Sequence, residues 1–172
     1  LPGLGLLMLA SAIRETRPEI SEQIRYFDEE LLGQQGCISE VKDWLSGAST
    51  GLVMLTTYTL THHRQKEFAE EVKAPRTFII SGGPHVTLHP ETSNADIVIR
   101  GEGVSAMRHL FSMDEWTIDD LGITPGACFS YFSEGSILRH SSPPQRRLPP
   151  DDWPSPSFAY DIIPERVRHR AS

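Results

Sequence analysis

The sequence contains little cysteine. Its 172 residues include only two cysteines, Cys37 and Cys128. This number excludes a disulfide-rich secreted scaffold, and it excludes a four-thiolate zinc or iron–sulfur site built by this chain alone. Both cysteines are predicted to be ordinary small apolar residues.

An excess of basic residues and a long apolar run are also missing. The 16 basic residues are outnumbered by 23 acidic ones, which leaves a net charge of −7. Because proteins that bind nucleic-acid backbones are normally basic, nucleic acid is not an expected partner. No apolar run approaches the roughly 20 residues that cross a bilayer, and no basic signal-peptide segment precedes the opening apolar residues. A cytoplasmic protein without a membrane partner is expected.

Short apolar segments alternate with helical patterns along most of the chain. An α/β sheet that is parallel and covered by helices on both faces is therefore expected. The predicted strands are Gln23–Glu29, Gly51–Leu55, Thr77–Ile80 and Ala95–Ile99, and the predicted helices include Gly5–Thr16, Gly36–Leu45 and Thr61–Lys73.

The last third of the chain has a different character. Residues Ala127–Phe132 and Ser136–Arg139 flank Ser-Glu-Gly, which predicts a β-hairpin with Gly135 at positive φ. Seven prolines then fall between Pro143 and Pro164, a density that predicts an extended arm or linker. The expected organisation is an α/β domain over residues 1–126, a hairpin over 127–142 and a proline-rich linker over 143–172. Three arginines near the end, Arg166, Arg168 and Arg170, are predicted to form a solvated tail.

Three loops rich in glycine and hydroxyl groups follow three of the predicted strands. They are Thr56–Thr59, Ser81–Thr87 and Arg100–Gly103. Right-handed crossovers place the carboxyl ends of parallel strands on one edge of the sheet, where ligands bind in such folds. This pattern favours the binding of a large polar cofactor at this carboxyl edge of the sheet, the rim. Tight turns alone would also explain the glycines.

The sequence blocks SGGPHVTLHPE (Ser81–Glu91) and ADIVIRGEG (Ala95–Gly103) resemble the cobalamin-binding-type domain found at the N-terminus of many radical S-adenosylmethionine enzymes. The opening LPGLGLLMLASAIRE resembles the helix start of that family. The hairpin and the arm leading to Pro156 and Tyr160 resemble the segment that connects this domain to the catalytic barrel in that family.

The resemblance implies a flavodoxin-like (Rossmann-type) fold with cobalamin over the carboxyl rim. It implies no catalytic residue and no protein metal ligand in this chain. The cofactor-binding residues that it implies are Gly3, Leu4, Gly5, Thr56, Thr57, Tyr58, Thr59, Ser81, Gly82, Gly83, Pro84, His85, Val86, Gly101, Glu102 and Gly103.

The same resemblance implies that radical chemistry occurs elsewhere in a longer parent protein. The iron–sulfur cluster of this family needs a Cys-x-x-x-Cys-x-x-Cys motif, which this sequence lacks. The cluster and S-adenosylmethionine would belong to a barrel domain of the same parent chain, of methyltransferase or ring-forming type. In the strand order 2-1-3-4-5 the first strand is central, and it is expected immediately upstream of Leu1.

Departures from the family leave alternatives open. The Asp-x-His-x-x-Gly motif, which supplies a cobalt-ligating histidine in other cobalamin domains, is absent, and Val104 replaces the usual second glutamate. A cofactor-free scaffold or interaction module is therefore the alternative function. A flavin or nucleotide binder is less favoured, because no Gly-x-x-x-x-Gly-Lys loop is present.

Two kinds of polar side chain near the rim have competing interpretations. Four histidines are expected to be solvated or hydrogen-bonded rather than to bind metal: His62, His63, His85 and His89. Of these, His85 is expected to pack at the rim. The minor alternative is that His85 coordinates cobalt from the lower face of cobalamin. Glu102 is expected to favour the helix dipole, or else to contact a cofactor amide or a facing domain.

Overall fold

A computed structural model describes residues 3–165 of the chain. The two N-terminal residues and the tail that contains Arg166, Arg168 and Arg170 lie outside the described residues. Short 3₁₀ segments cover Pro18–Gln23, Pro90–Thr92, Pro150–Asp152 and Pro156–Ile162. The helices and strands, in chain order, are α1 (Leu4–Thr16), α2 (Glu29–Leu45), β1 (Gly51–Thr56), α3 (His62–Val72), β2 (Thr77–Gly82), α4 (Pro84–Leu88), β3 (Ile97–Ile99), α5 (Val104–Phe111), α6 (Ile118–Ile123), β4 (Ala127–Ser133) and β5 (Ser136–Ser141).

The five strands form one mixed sheet in the order β1-β2-β3-β4-β5. β1, β2 and β3 are parallel, whereas β4 runs antiparallel to β3 and β5 antiparallel to β4. The three strands expected to be parallel are parallel, and β4 and β5 extend the same sheet by antiparallel pairing, which was not expected. Two helices, α5 and α6, separate β3 from β4, so the chain enters β4 from the rim, where Ala127 pairs with Ile99. A tight turn with positive φ at Glu134 and Gly135 then leads into β5.

Helices cover both faces of the sheet. On one face, α1 and α5 pack Ile13 and Met107 against sheet residues such as Ile80. On the other face, α2 and α3 pack against Val53 and Ile79. The burial of these apolar side chains on both sides explains why β1 and β2 read as continuous apolar runs.

The predicted strand Gln23–Glu29 is not a strand. A 3₁₀ turn ends at Gln23, the backbone is extended at Ile24 and Asp28, and α2 begins at Glu29. Asp28 caps α2 by accepting a hydrogen bond from the backbone N–H of Glu30 at 2.9 Å. An extended segment becomes a strand only when a neighbouring strand supplies hydrogen-bond partners, and this segment has none among the described residues. The helix predicted from Gly36 is also longer, and it bends at Gly33, where φ is 68°.

Helix α1 is buried on several sides, through residues that include Leu7, Met8, Ala12 and Ile13. It contacts α5 and also the 3₁₀ segment Pro156–Ile162 of the proline-rich arm. Ala159 and Ile163 of the arm are fully buried there, and Arg14 pairs with Asp161 at 2.5 Å. The arm therefore returns to the domain and shields the side of α1 that faces away from the sheet.

One edge of the sheet lies at β1. Among the described residues, no strand pairs with β1 on the side away from β2. The further strand expected beside β1 stays a prediction. No helix within residues 3–165 is long and apolar enough to cross a bilayer.

Candidate functional site

The loops after β1 and β2 are joined by direct hydrogen bonds. The backbone N–H of Thr57 donates to the Gly82 carbonyl at 2.7 Å, and the His85 N–H donates to the Thr57 carbonyl at 3.1 Å. The hydroxyl groups of Thr57 and Ser81 lie 2.7 Å apart and are buried. These contacts hold Thr56–Thr59 and Ser81–His85 together at the carboxyl ends of the two strands.

The loop after β3 joins the same edge through Thr87. The Thr87 hydroxyl accepts a hydrogen bond from the Gly101 N–H at 3.0 Å, and its carbonyl accepts one from Arg100 Nε at 3.1 Å. The structure therefore brings all three glycine- and hydroxyl-containing loops to one rim, as right-handed parallel connections require. The part played by Thr87 was not foreseen, because a threonine inside a short helix carries no sequence signal for it.

The N-terminus of α1 also reaches this region. Gly103 lies against Leu9, since a β-carbon placed on Gly103 would be 3.0 Å from a Leu9 methyl carbon. At the helix start, the Gly3 N–H donates to the Tyr26 hydroxyl at 3.0 Å, and burial raises the pKa of Tyr26. Leu4 is 58% exposed at this end of the helix.

Gly83 is required by contacts within the chain. Its φ is 103°, and a β-carbon there would lie 2.8 Å from the Thr57 carbonyl oxygen. Only glycine fits this close approach of two backbones. The glycine therefore explains how the loops after β1 and β2 pack, whether or not a ligand lies above them.

Gly101 has a comparable explanation in the proline-rich arm. Its φ is 81°, and a β-carbon there would lie 2.1 Å from the Gln145 carbonyl oxygen. Gln145 donates its N–H to the Arg100 carbonyl at 2.8 Å and accepts a hydrogen bond from the Glu102 N–H at 3.1 Å. The arm thus covers the backbone of this loop. Gln145 gave no signal in the sequence beyond its place among prolines.

Glu102 has a structural contact at the start of α5. Its carboxylate accepts a hydrogen bond from the Val104 N–H at 3.2 Å. A negative charge in this position is favourable because helix N-termini carry partial positive charge. This contact supports the structural interpretation of Glu102.

The four histidines form a chain of ring contacts beside the rim. The ring centroid of His62 lies 3.8 Å from that of His63 and 4.4 Å from that of His85, and His85 lies 5.5 Å from His89. His85 is only 7% exposed, and burial together with its histidine neighbours lowers its pKa. Its Nε2 contacts the Thr92 hydroxyl at 3.1 Å. Within residues 3–165, no group of three or more potential ligands is placed to hold a metal ion.

The outer surface of the rim combines polar backbone with exposed apolar side chains. Tyr58 is 54% exposed, and the neighbouring Leu60 and Leu88 are 98% and 73% exposed. Neither leucine was among the predicted site residues, because a single leucine between polar residues has no periodicity to mark it. Of the predicted set, Gly3, Leu4, Gly5, Tyr58, Thr59, Pro84 and Gly101 are exposed, Thr56, Gly82, Gly83, Glu102 and Gly103 are partly buried, and Thr57, Ser81, His85 and Val86 are buried beneath them.

At Gly82 and Gly5 the described residues leave room for a ligand to approach the backbone. A β-carbon built on Gly82 would meet only the Ile99 carbonyl oxygen at 3.7 Å, and one built on Gly5 would meet nothing within 4 Å. Within residues 3–165, no side chain lies within 4 Å of either of these β-carbon positions. Hydroxyl groups and exposed backbone around them are the groups that bind a large polar ligand with many amides.

Comparison with known proteins agrees with this geometry. Residues 1–111 match the B12 binding domain family, so the chain belongs to the B12 binding domain family. The chain is also similar to an uncharacterised methyltransferase from Pyrococcus horikoshii, with 27% identity over 183 aligned residues that cover 95% of this chain. The chain spans 34% of the length of that relative.

Proposed function

We propose that this chain binds cobalamin on the rim and holds it for chemistry carried out by another part of a longer protein. The observation that carries the proposal is the joining of three strand-end loops, with open space above Gly82, in a member of the B12 binding domain family. Ligands of α/β sheets bind at this edge.

Each group on the rim has a role in holding the cofactor. The exposed backbone at Gly5 and the partly buried backbone at Gly82 would let the corrin approach closely. The Thr59 hydroxyl and Tyr58 ring would offer a hydrogen bond and an apolar contact. The buried residues Thr57, Ser81 and His85 fix the loops rather than touch the ligand. Bound cobalamin supplies a cobalt centre that can transfer an alkyl group, and the chain supplies its position and orientation.

We infer further that the parent is a radical S-adenosylmethionine enzyme, either a methyltransferase or a ring-forming enzyme. The GGPH and RGEG blocks support this inference through their resemblance to that family. The similarity to a methyltransferase from Pyrococcus horikoshii supports a methyltransferase, and the greater length of that relative supports a longer parent. The iron–sulfur cluster, S-adenosylmethionine and the barrel domain that would face the corrin belong to the parent. Cys37 and Cys128 are unpaired thiols, which suits the reducing cytoplasm.

Titration of hydroxocobalamin into the 172-residue chain tests the proposal, with the visible spectrum of the cofactor as the readout. Gly82→Leu places a side chain in the open space above the rim and is expected to weaken binding at least tenfold, about 1.4 kcal/mol. Gly47→Leu is the matched control, because Gly47 lies away from the rim between α2 and β1 and has no atom near its β-carbon position. Unchanged affinity in the Gly82 variant would place the cofactor elsewhere.

A cofactor-free scaffold is the second candidate function. The observation that favours it is that Gly83 and Gly101 both contact the backbone of the chain itself, so these glycines need no ligand. A folded chain that binds neither hydroxocobalamin nor flavin mononucleotide would support the scaffold. Binding of flavin mononucleotide alone would support a flavin protein of the same fold.

A further inference from the structure

A small, partly open space lies between α3, α4 and the ends of β1 and β2. Its volume is about 10 Å³, close to the roughly 10–15 Å³ that one water molecule needs. Polar residues line it together with apolar residues of the same elements, and the polar ones include Thr57, His62, Gln65, Ser81 and His85. Spaces of this size hold water when their walls are polar and stay dry when they are apolar, so the hydrogen-bonding state of the walls decides the occupant.

Gln65 contributes a buried acceptor. Its Nε2 donates to the Thr56 carbonyl oxygen, and this contact fixes the orientation of the amide, because the reverse orientation would set two acceptors against each other. The other amide atom, Oε1, is buried and has no hydrogen-bond partner among the described residues. Leaving such an oxygen without a donor costs about 1–3 kcal/mol.

His85 contributes a second buried acceptor, and the surrounding hydrogen bonds define its tautomer. The Thr92 hydroxyl has one hydrogen, which it donates to the His89 carbonyl at 2.8 Å. The contact of 3.1 Å between Thr92 Oγ1 and His85 Nε2 therefore needs the hydrogen on Nε2. In the neutral ring Nδ1 is then an acceptor, and this atom is buried without a partner in residues 3–165.

We propose that this space is a binding site for one ordered water molecule, which donates its two hydrogens to Gln65 Oε1 and His85 Nδ1. Two unsatisfied acceptors belong to residues that line the space, and a water molecule supplies two donors. A third hydrogen bond comes from the hydroxyl pair Thr57 and Ser81. One of these hydroxyls donates to the other across 2.7 Å, which leaves the second with a hydrogen for the water oxygen.

This water joins elements that position the rim. It links Gln65 on α3 to His85 on α4, and both to the ends of β1 and β2. Buried water molecules typically make about three hydrogen bonds of this kind and are costly to remove. The site does not depend on cobalamin, because it uses only interior groups.

A protonated His85 is the competing arrangement, in which Nδ1–H would donate to Gln65 Oε1 directly. His62, His63 and His89 interact with His85 as further basic groups, and Lys66 lines the same space. Glu91 acts in the opposite direction on the pKa of His85. Burial and the neighbouring histidines lower the pKa of His85, which favours the neutral ring.

Nuclear magnetic resonance of the ¹⁵N-labelled 172-residue chain at pH 7.5 tests the arrangement. Long-range ¹H–¹⁵N spectra distinguish protonated from unprotonated ring nitrogens. His85 is expected to carry its hydrogen on Nε2, with an unprotonated Nδ1. His62 is the internal control, because its Nδ1 donates to the Thr59 carbonyl at 2.9 Å and must be protonated.

A crystal structure of the same chain at better than about 1.8 Å tests the water itself. An ordered peak within hydrogen-bond distance of Gln65 Oε1 and His85 Nδ1 is expected. In Gln65→Met the peak is expected to be lost, whereas Gln34→Met, which alters an α2 glutamine bonded to the α3 backbone, should retain it. A protonated Nδ1 in His85, or a space without an ordered peak in the wild-type chain, would overturn the proposal.

Discussion

Gly83→Ala is expected to destabilise the fold because two independent features of the backbone oppose a side chain there. The residue has φ 103° and ψ 176°, a region that is nearly confined to glycine and costs other residues about 1–3 kcal/mol. The added β-carbon would also lie 2.8 Å from the carbonyl oxygen and 2.9 Å from the nitrogen of Thr57. Thr57 is held by its hydrogen bonds to Gly82 and Ser81, so it cannot move aside freely.

The two effects together predict a loss of about 3 kcal/mol in the free energy of unfolding. For a domain of this size that loss corresponds to a decrease of roughly 6–12 °C in Tm. Urea and thermal unfolding followed by circular dichroism measure both quantities. The same substitution at Gly82 is the control, since its β-carbon would make only an ordinary contact of 3.7 Å.

Gly82→Ala is expected to change the unfolding free energy by less than about 1 kcal/mol, and it can be stabilising because alanine restricts the unfolded chain. Equal effects of the two alanine substitutions would refute the proposed packing of the loops after β1 and β2. So would a Gly83→Ala protein as stable as the wild type.

Three further predictions concern the arm, a thiol and a histidine. Ile163→Ala should lower the free energy of unfolding in urea by about 2–4 kcal/mol, because Ile163 is fully buried against α1. Phe158→Ala, at a position that is 61% exposed, should lower it by less than about 0.5 kcal/mol. Similar losses in the two variants would contradict the packing of the arm on α1. Burial, reinforced by the charge of Glu29, raises the pKa of Cys37 to about 11. This thiol should therefore resist iodoacetamide at pH 8 until urea unfolds the chain. Rapid labelling of the native protein would contradict its burial. The folded-state pKa of His85 is lowered, so the unfolded chain binds a proton at this residue first as the pH falls below about 6.5. The free energy of unfolding should therefore decrease from pH 7.5 towards pH 5, and it should decrease less in His85→Gln. An equal pH dependence in both proteins would oppose a buried neutral ring.

The parallel strands could be predicted because their information is local. Gly51–Leu55 and Thr77–Ile80 are short apolar runs between turn residues, and the structure extends them only to Thr56 and Gly82. Their loops could be placed on one rim because strands that run parallel all end at the same edge of the sheet. The mixed direction of the sheet was missed, since no local signal shows that α6 turns the chain around before β4.

The strand expected at Gln23–Glu29 was wrong for a related reason. Alternating residues such as Ile24 and Tyr26 indicate extended backbone with two faces, but pairing depends on a neighbouring strand that the pattern cannot specify. In the structure these two side chains pack against α1 and the arm instead.

The glycines of the candidate site could be located but not fully interpreted. Sequence reasoning connected Gly83 and Gly101 with a ligand, yet each is already required by the backbone of Thr57 or Gln145. Those contacts join residues that are 26 and 44 positions apart, and no local pattern predicts such pairs. Gly82 and Gly5, which have space above them, are the glycines that remain available to a cofactor.

The central claim is that the rim holds cobalamin, and co-elution of hydroxocobalamin with the 172-residue chain tests it most directly. After incubation with excess cofactor under anaerobic conditions and gel filtration, absorbance measures the ratio of cofactor to protein. Binding on the rim predicts a ratio close to one in the protein peak, and a much lower ratio for Gly82→Leu than for Gly47→Leu. Elution of all cofactor apart from a folded wild-type chain would contradict the claim.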